Sequence, residues 1–322
     1  MTVKDVFELR KQGKTEEAYD AIRPMYAVHK GKYTTLCMFW VGSDMLKKRL
    51  KENRGEEAVA IFEALLRVQP NIDDRDGKVH DAVVNDALKL SESVPTFSML
   101  SFVERYGIEK LKEEDWQTPL FALSPDASAK SKRTPPTALR LLTRCFHEIM
   151  QQPSAERALQ AMPLLQEAVR RNPVSKNCLR YMAVVYRILG NKEKSVEFYQ
   201  LALTRYHDSY LFSELAELTD DPGERAALYC RAIENQRQEK FATGYRLELA
   251  KLLEGRDNRR AAYELKRCVD TRRALHYAIT SDMLILQTKL KGVQPVDEAS
   301  QRDFYRRMEQ KYPLGSSYKP KD

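Results

Sequence analysis

The residues best suited to catalysis are few: the pair His147-Glu148, the stretch Ser316-Ser-Tyr-Lys319, and the histidines His29, His80, His147, His207 and His276. A zinc hydrolase of the His-Glu-x-x-His kind needs a second histidine one helical turn on, which is absent here. The Ser-x-x-Lys spacing falls among glycine, prolines and lysines near the C-terminus, where nothing would preorganise a nucleophile. No glycine-rich phosphate loop and no Gly-x-Ser-x-Gly elbow is present. The histidines are solitary, so neither a metal nor another cofactor is expected, and the chain reads as non-enzymatic.

Charge offers more than catalysis does. Arg180 and Arg187 stand seven residues apart, nearly on one face of a helix. Arg259, Lys266 and Arg273 repeat every seven residues and make one basic stripe, with Arg260 and Arg267 in a neighbouring one. The net charge of +8 is concentrated there: residues 240–322 hold 18 Lys and Arg against 11 Asp and Glu, while residues 1–239 hold 36 against 35. A helix surface in water is the plain reading of both arrays. The sharper readings are an acidic peptide for the first, and nucleic acid or an acidic protein for the second. The second array lacks the regular aromatic interleaving of a base-stacking platform.

Such side chains need rigid elements beneath them. With 43% hydrophobic and 31% charged residues and only 12 glycines, the 322-residue chain has a folded, helix-leaning composition. Cys37, Cys145, Cys178, Cys230 and Cys268 are odd in number and contain no Cys-x-x-Cys pair. They read as small buried residues of a reducing compartment, so a cytoplasmic location is expected. The N-terminal stretch has no apolar signal core, and the longest uncharged apolar run is too short to span a bilayer, so no membrane partner is expected. The aromatic-rich Tyr33–Trp40 segment reads as core, because Leu36, Phe39 and Trp40 fall at helical spacing.

The elements repeat. Leu179, Met182, Ala183 and Tyr186 precede Gly190, after which come Ser195, Tyr199 and Ala202. The second half of that pattern recurs as Ala161-x3-Leu165-x2-Ala168, as Tyr229-x2-Ala232 and as Ala261-x3-Leu265-x2-Cys268. Its last small residue steps from 168 to 202, 232 and 268, intervals of 34, 30 and 36. Ala58-x3-Phe62-x2-Leu65 after Gly55, and Ala18-x3-Ile22 after Gly13, are weaker copies. Each unit predicts a helical hairpin. A left-handed glycine closes the first helix, a polar residue such as Thr15 or Asn191 caps the second, and small residues allow close approach. The 30-residue step predicts a shortened first helix around 211–218, and further helices are expected over 79–90, 97–106, 274–290 and 302–310.

These residues resemble the tetratricopeptide repeat (TPR), a 34-residue helix-turn-helix unit, most closely over 176–207. Leu179 stands where that family has a large aromatic and Ala183 where it has glycine. The resemblance implies an all-α, right-handed superhelical solenoid in two arrays with an irregular middle, and a concave groove that binds a partner peptide or helix. By family register the groove-facing positions are Asn177, Arg180, Val184 and Arg187, with Arg246 matching Arg180 in a later repeat. The expected domains are an N-terminal array over 1–117, a Pro/Ser-rich linker over 118–136, a C-terminal array with capping helices over 137–312 and a disordered tail over 313–322. The stretches 102–116 and 227–253 also resemble TPR-bearing proteins of bacterial TOTE-type conflict systems, which often continue into an S1 or cold-shock-like domain. That second resemblance implies a nucleic-acid-associated accessory role as the alternative to a protein-binding adaptor.

Overall fold

A computed structural model describes residues 1–117 and 135–314; the serine- and proline-rich segment around 118–134 and the tail from 315 lie outside the described residues. Among the described residues the regular structure is entirely helical, with sixteen α-helices. The chain divides into two compact units, Met1–Ala168 and Val169–Asp322.

The first unit holds α1 (Val3–Lys11), α2 (Thr15–Val28), α3 (Lys32–Lys51), α4 (Gly55–Val68), α5 (Lys78–Ser93), α6 (Met99–Tyr106), α7 (Thr137–Gln151) and α8 (Ala155–Arg171), whose last turn crosses the division. Successive helices pack on one another from α1 through α5. The sequence assigns α7 to the C-terminal array, yet its neighbours are α5, α6 and the short turn Glu113–Trp116. Its strongly one-sided apolar face, Leu141, Leu142, Cys145, Phe146 and Ile149, is buried there.

The second unit is built from hairpins: α9 (Lys176–Ile188) with α10 (Lys192–Leu203), α11 (Ser209–Ala216) with α12 (Pro222–Glu234), and α13 (Glu239–Leu253) with α14 (Asn258–Ala274). Two further helices follow. α15 (Ser281–Lys289) packs on α14, and α16 (Glu298–Lys311) folds back onto α12. The helix α11 is indeed short, and Asp221 caps α12 by accepting from the Glu224 N–H at 2.7 Å, with Pro222 opening the helix.

The repeat signature is a packing signature. Ala18, Ala58, Ala183, Ala202 and Ala232 are all fully buried, as are Phe62 and Tyr199 beside them. All five cysteines are buried free thiols. Within the Tyr33–Trp40 segment Thr34, Thr35, Cys37, Met38 and Phe39 are buried, Leu36 is half-buried, Tyr33 is exposed, and Trp40 lies half-buried under the Arg10 guanidinium.

The hairpin turns follow one chemistry with substitutions in it. Gly13 and Gly190 take left-handed φ values of 76° and 75°, and the next N–H reaches back to Leu9 and Tyr186 carbonyls, closing the helix ends. Between α3 and α4 the left-handed residue is Asn53 (φ 58°) and not Gly55, which is the first residue of α4 and faces the Val94 side chain at close range. Asn191 caps α10 as expected, accepting from Lys194 N–H at 3.0 Å, but Thr15 is the first helical residue of α2 and caps nothing. The expected helix over 274–290 is broken. His276 adopts φ 56°, and Tyr277 N–H donates to the Arg272 carbonyl at 2.8 Å, so α14 stops and α15 starts at Ser281.

Candidate binding surfaces

The arginines assigned to a groove are engaged inside the second unit. Arg180 on α9 forks onto Glu214 of α11, with Nε at 2.9 Å from Oε2 and Nη2 at 2.6 Å from Oε1, and it lies over the Tyr210 ring. The Glu214 hydrogen bonds hold the Arg180 pKa above the ordinary guanidinium value. Arg187 meets Glu217 at 2.8 Å, and two lysines extend the series, Lys176 to Asp208 at 2.9 Å and Lys192 to Asp220 at 2.5 Å. These four ion pairs form a ladder that ties the α9/α10 hairpin to the start, body and end of α11. The pairs of Lys176, Arg180 and Arg187 are partly exposed and worth about 0.2–1 kcal/mol each, while Asp220 stands in open solvent. Asn177 is exposed on the same helix.

Val184 does not face a groove. It is 1% exposed, because α9 buries seven residues, Cys178, Leu179 and Tyr181 through Val185, on a face wider than one apolar stripe.

Arg246 is likewise withdrawn from solvent, at 6% exposure. From α13 it donates Nε to Glu239 at 2.6 Å, Nη1 to Glu264 of α14 at 2.6 Å and Nη1 to the Tyr305 hydroxyl of α16 at 3.2 Å. Glu264, fully buried, also accepts from Gln301 Nε2 at 2.6 Å and from the Tyr305 hydroxyl. Burial pushes the Glu264 carboxyl up, opposed by Arg246 and the two donors. Burial alone would lower Arg246, but its two carboxylates outweigh it and hold the guanidinium above its usual value. A charged group that buried needs its partners, so this cluster is a pin through α13, α14 and α16.

The basic face of α14 divides in two. Arg260 is tied down: it pairs with Asp257 at 2.9 Å, donates to the Ser300 carbonyl at 3.0 Å and covers the Phe304 ring. Arg267 stands 3.7 Å from Glu239. Arg259, Lys266 and Arg273 are exposed, and among the described residues none has an acidic partner. Lys266 and Arg273 border a shallow cavity of about 350 Å³ whose apolar lining includes Leu265, Val269, Leu290 and Val293.

Two of the polar groups suited to catalysis by type, His80 and Glu148, have structural partners. His80 is buried with Nδ1 2.7 Å from the Tyr106 hydroxyl and Nε2 2.7 Å from Asp115 Oδ2, so both ring nitrogens are engaged although Asp81 completes a cluster of ligand type. Glu148 accepts from the Met99 and Leu100 N–H groups and from Ser98 Oγ, capping α6. Another cavity of the second unit, about 570 Å³, lies among α10, α11 and α12 and is lined by Leu201, Leu215, Leu228 and the chain's own Tyr312–Leu314.

The role of Arg231 has no signal in the sequence, and Pro313 and Leu314, expected in a disordered tail, line that cavity. Arg231 is buried and donates to the Glu309 and Tyr312 carbonyls, anchoring the end of α16 on α12. An internal Arg next to alanines in a repeat helix gives no sign of a partner almost eighty residues on. The ladder acids do leave a sign: Asp208 and Glu214 stand 32 and 34 residues beyond Lys176 and Arg180, one repeat period away.

The second unit is thus all-helical among the described residues, made of paired helices with ion pairs running from one hairpin to the next. A family model described as a domain of unknown function (DUF7017) matches residues 179–311, from the first turn of α9 to the last residue of α16. No functionally curated protein matches the chain. No helix among the described residues is long and apolar enough to cross a membrane.

Proposed function

We propose that this chain is a non-enzymatic, cytoplasmic adaptor whose TPR-like hairpins stack as a solenoid and present a surface to a partner protein. The observation that carries this reading is the ion-pair ladder between α9 and α11. First helices of consecutive hairpins set side by side are the stacking a solenoid needs, because one hairpin alone leaves an apolar face uncovered. Arg10 with Asp44 joins α1 to α3 in the same manner, and Lys251 with Asp282 joins α13 to α15. With Arg180, Arg187 and Arg246 engaged internally, the partner surface is sought elsewhere than at a row of groove arginines.

Affinity capture from nuclease-treated lysate, washed at moderate salt, tests it. A protein that stays bound supports the adaptor reading, and recovery of nucleic acid alone from untreated lysate refutes it.

The exposed, unpaired trio Arg259, Lys266 and Arg273 favours a second reading, a nucleic-acid-associated accessory of a bacterial defence system. Three phosphate contacts would give a log–log salt slope of about −2 to −3. A flat salt dependence of oligonucleotide binding, or none at all, removes it.

A further inference from the structure

Resting on the adaptor reading, we propose that the trough between α14 and the segment from α15 to Pro295 docks an acidic amphipathic helix of a partner protein. The trough's floor is Ala262, Leu265, Val269, Leu290 and Val293. Lys266 and Arg273 line its edge, and Arg259 continues their stripe along α14 beyond the lining, where Val296 N–H donates to the Arg259 backbone carbonyl at 3.3 Å.

The spacing of the cations selects the occupant. Seven helical residues rise about 10.5 Å, so the three charges span about 21 Å along α14. A helix laid alongside presents carboxylates at the same interval when its acids also recur every seven residues, with its apolar stripe turned into the trough. Among the described residues none of the three cations has an ion pair with the chain's own acids, whereas Arg260 pairs with Asp257, Lys251 with Glu248 and Asp282, and Lys289 with Glu254. Charge left unmet along an apolar trough is the complement of an acidic amphipathic surface.

Asp270 decides between a helix and a nucleic-acid strand. It lines the same trough between Lys266 and Arg273. A phosphate backbone is uniformly negative and meets repulsion at that point, whereas a peptide can set a neutral or basic residue opposite it. The lining residues include no aromatic ring on which a base would stack.

The test is fluorescence anisotropy on the full chain with a labelled synthetic helix carrying Glu at three positions seven apart and Leu along the adjoining stripe. The controls are the same peptide with Lys for Glu and an oligo-dT strand. The acidic helix is expected to bind saturably below ~1 mM, the lysine version not to bind, and Lys266→Glu with Arg273→Glu to weaken binding roughly tenfold. Asp270→Lys is expected to strengthen it. All three positions are exposed, so thermal unfolding of each variant should match the parent and exclude misfolding as the cause. Absence of saturable binding overturns the proposal, as does binding indifferent to the charge reversal, or tighter binding of oligo-dT that the same reversal abolishes. The lysate capture separates the two levels. A partner held equally by the parent and the Lys266→Glu/Arg273→Glu variant sinks this surface alone, and no partner from either sinks the adaptor reading with it.

Discussion

Replacing Arg246 by Met separates a structural pin from a partner-binding arginine. The change removes the guanidinium from Glu264, whose carboxylate is 0% exposed, and leaves it Gln301 and Tyr305 as donors. Breaking a buried ion pair from one side costs about 3–5 kcal/mol; the two surviving donors place this case near the lower end, about 3 kcal/mol. A domain has about 5–15 kcal/mol in total, and about 3 kcal/mol lowers the melting temperature of a unit this size by roughly 6–12 °C. Urea unfolding followed by far-ultraviolet circular dichroism measures the loss. Adding Glu264→Gln to Arg246→Met removes the orphaned charge, so the double variant should recover at least about 1 kcal/mol relative to additivity. A single-variant loss below about 1 kcal/mol, or strict additivity, would refute the pin. A stable Arg246→Met protein that no longer holds its partner would restore the groove role.

Three further expectations concern turns, ladder and pH. Gly190→Ala should cost about 1–2 kcal/mol through its left-handed φ, with no clash because the space around it is open, whereas Asn53→Gly should be neutral or slightly stabilising; denaturant midpoints report both. Truncating Glu214 to Ala should cost about 1 kcal/mol and lose part of that cost at high salt, since the Arg180 and Glu214 side chains keep 26% and 15% of their surface in solvent; an effect above about 2 kcal/mol would mean the ladder is more than screened surface charge. Glu234 lies beside Glu309, and partial burial with that second carboxylate raises its pKa to about 7. A folded-state pKa above the unfolded one means the folded state holds the proton more tightly. The group's stabilisation is therefore full below the ordinary glutamate range and is lost as pH rises towards about 7. Unfolding curves between those limits should show that slope in the parent and a flatter one in Glu234→Gln.

The helical hairpins of the second unit were readable because their signals are local. Small residues, left-handed glycines and caps act within a few positions of where they stand, and Ala183, Gly190, Asn191 and Ala202 all do in the structure what their types require. Positions that fail do so where a different residue supplies the left-handed backbone. Asn53 does so in place of Gly55, and His276 does so where no glycine announced a stop. The candidate site was readable as charge and not as pairing. Arg180, Arg187 and Arg246 each satisfy a carboxylate brought close by the fold, and helix register alone cannot show whether an arginine faces a partner or the next hairpin. Arg259, Lys266 and Arg273 kept the exposed stripe their spacing describes, because α14 turns that edge away from the acids that bind its neighbours.

The anchoring of α16 has a consequence for the order of assembly. Hairpins α9 to α14 close through neighbours a few tens of residues apart, contacts that form early in folding. Arg231 waits for carbonyls 78 and 81 residues downstream, and Glu264 for a hydroxyl 41 residues on. During N-to-C synthesis the hairpins emerge with those two groups still wet and unclaimed, and the unit becomes a single cooperative body only when α16 arrives. A refolding time course should then resolve helix formation from a later step reported by Tyr305, and a chain cut before Glu298 should show the first step without the second.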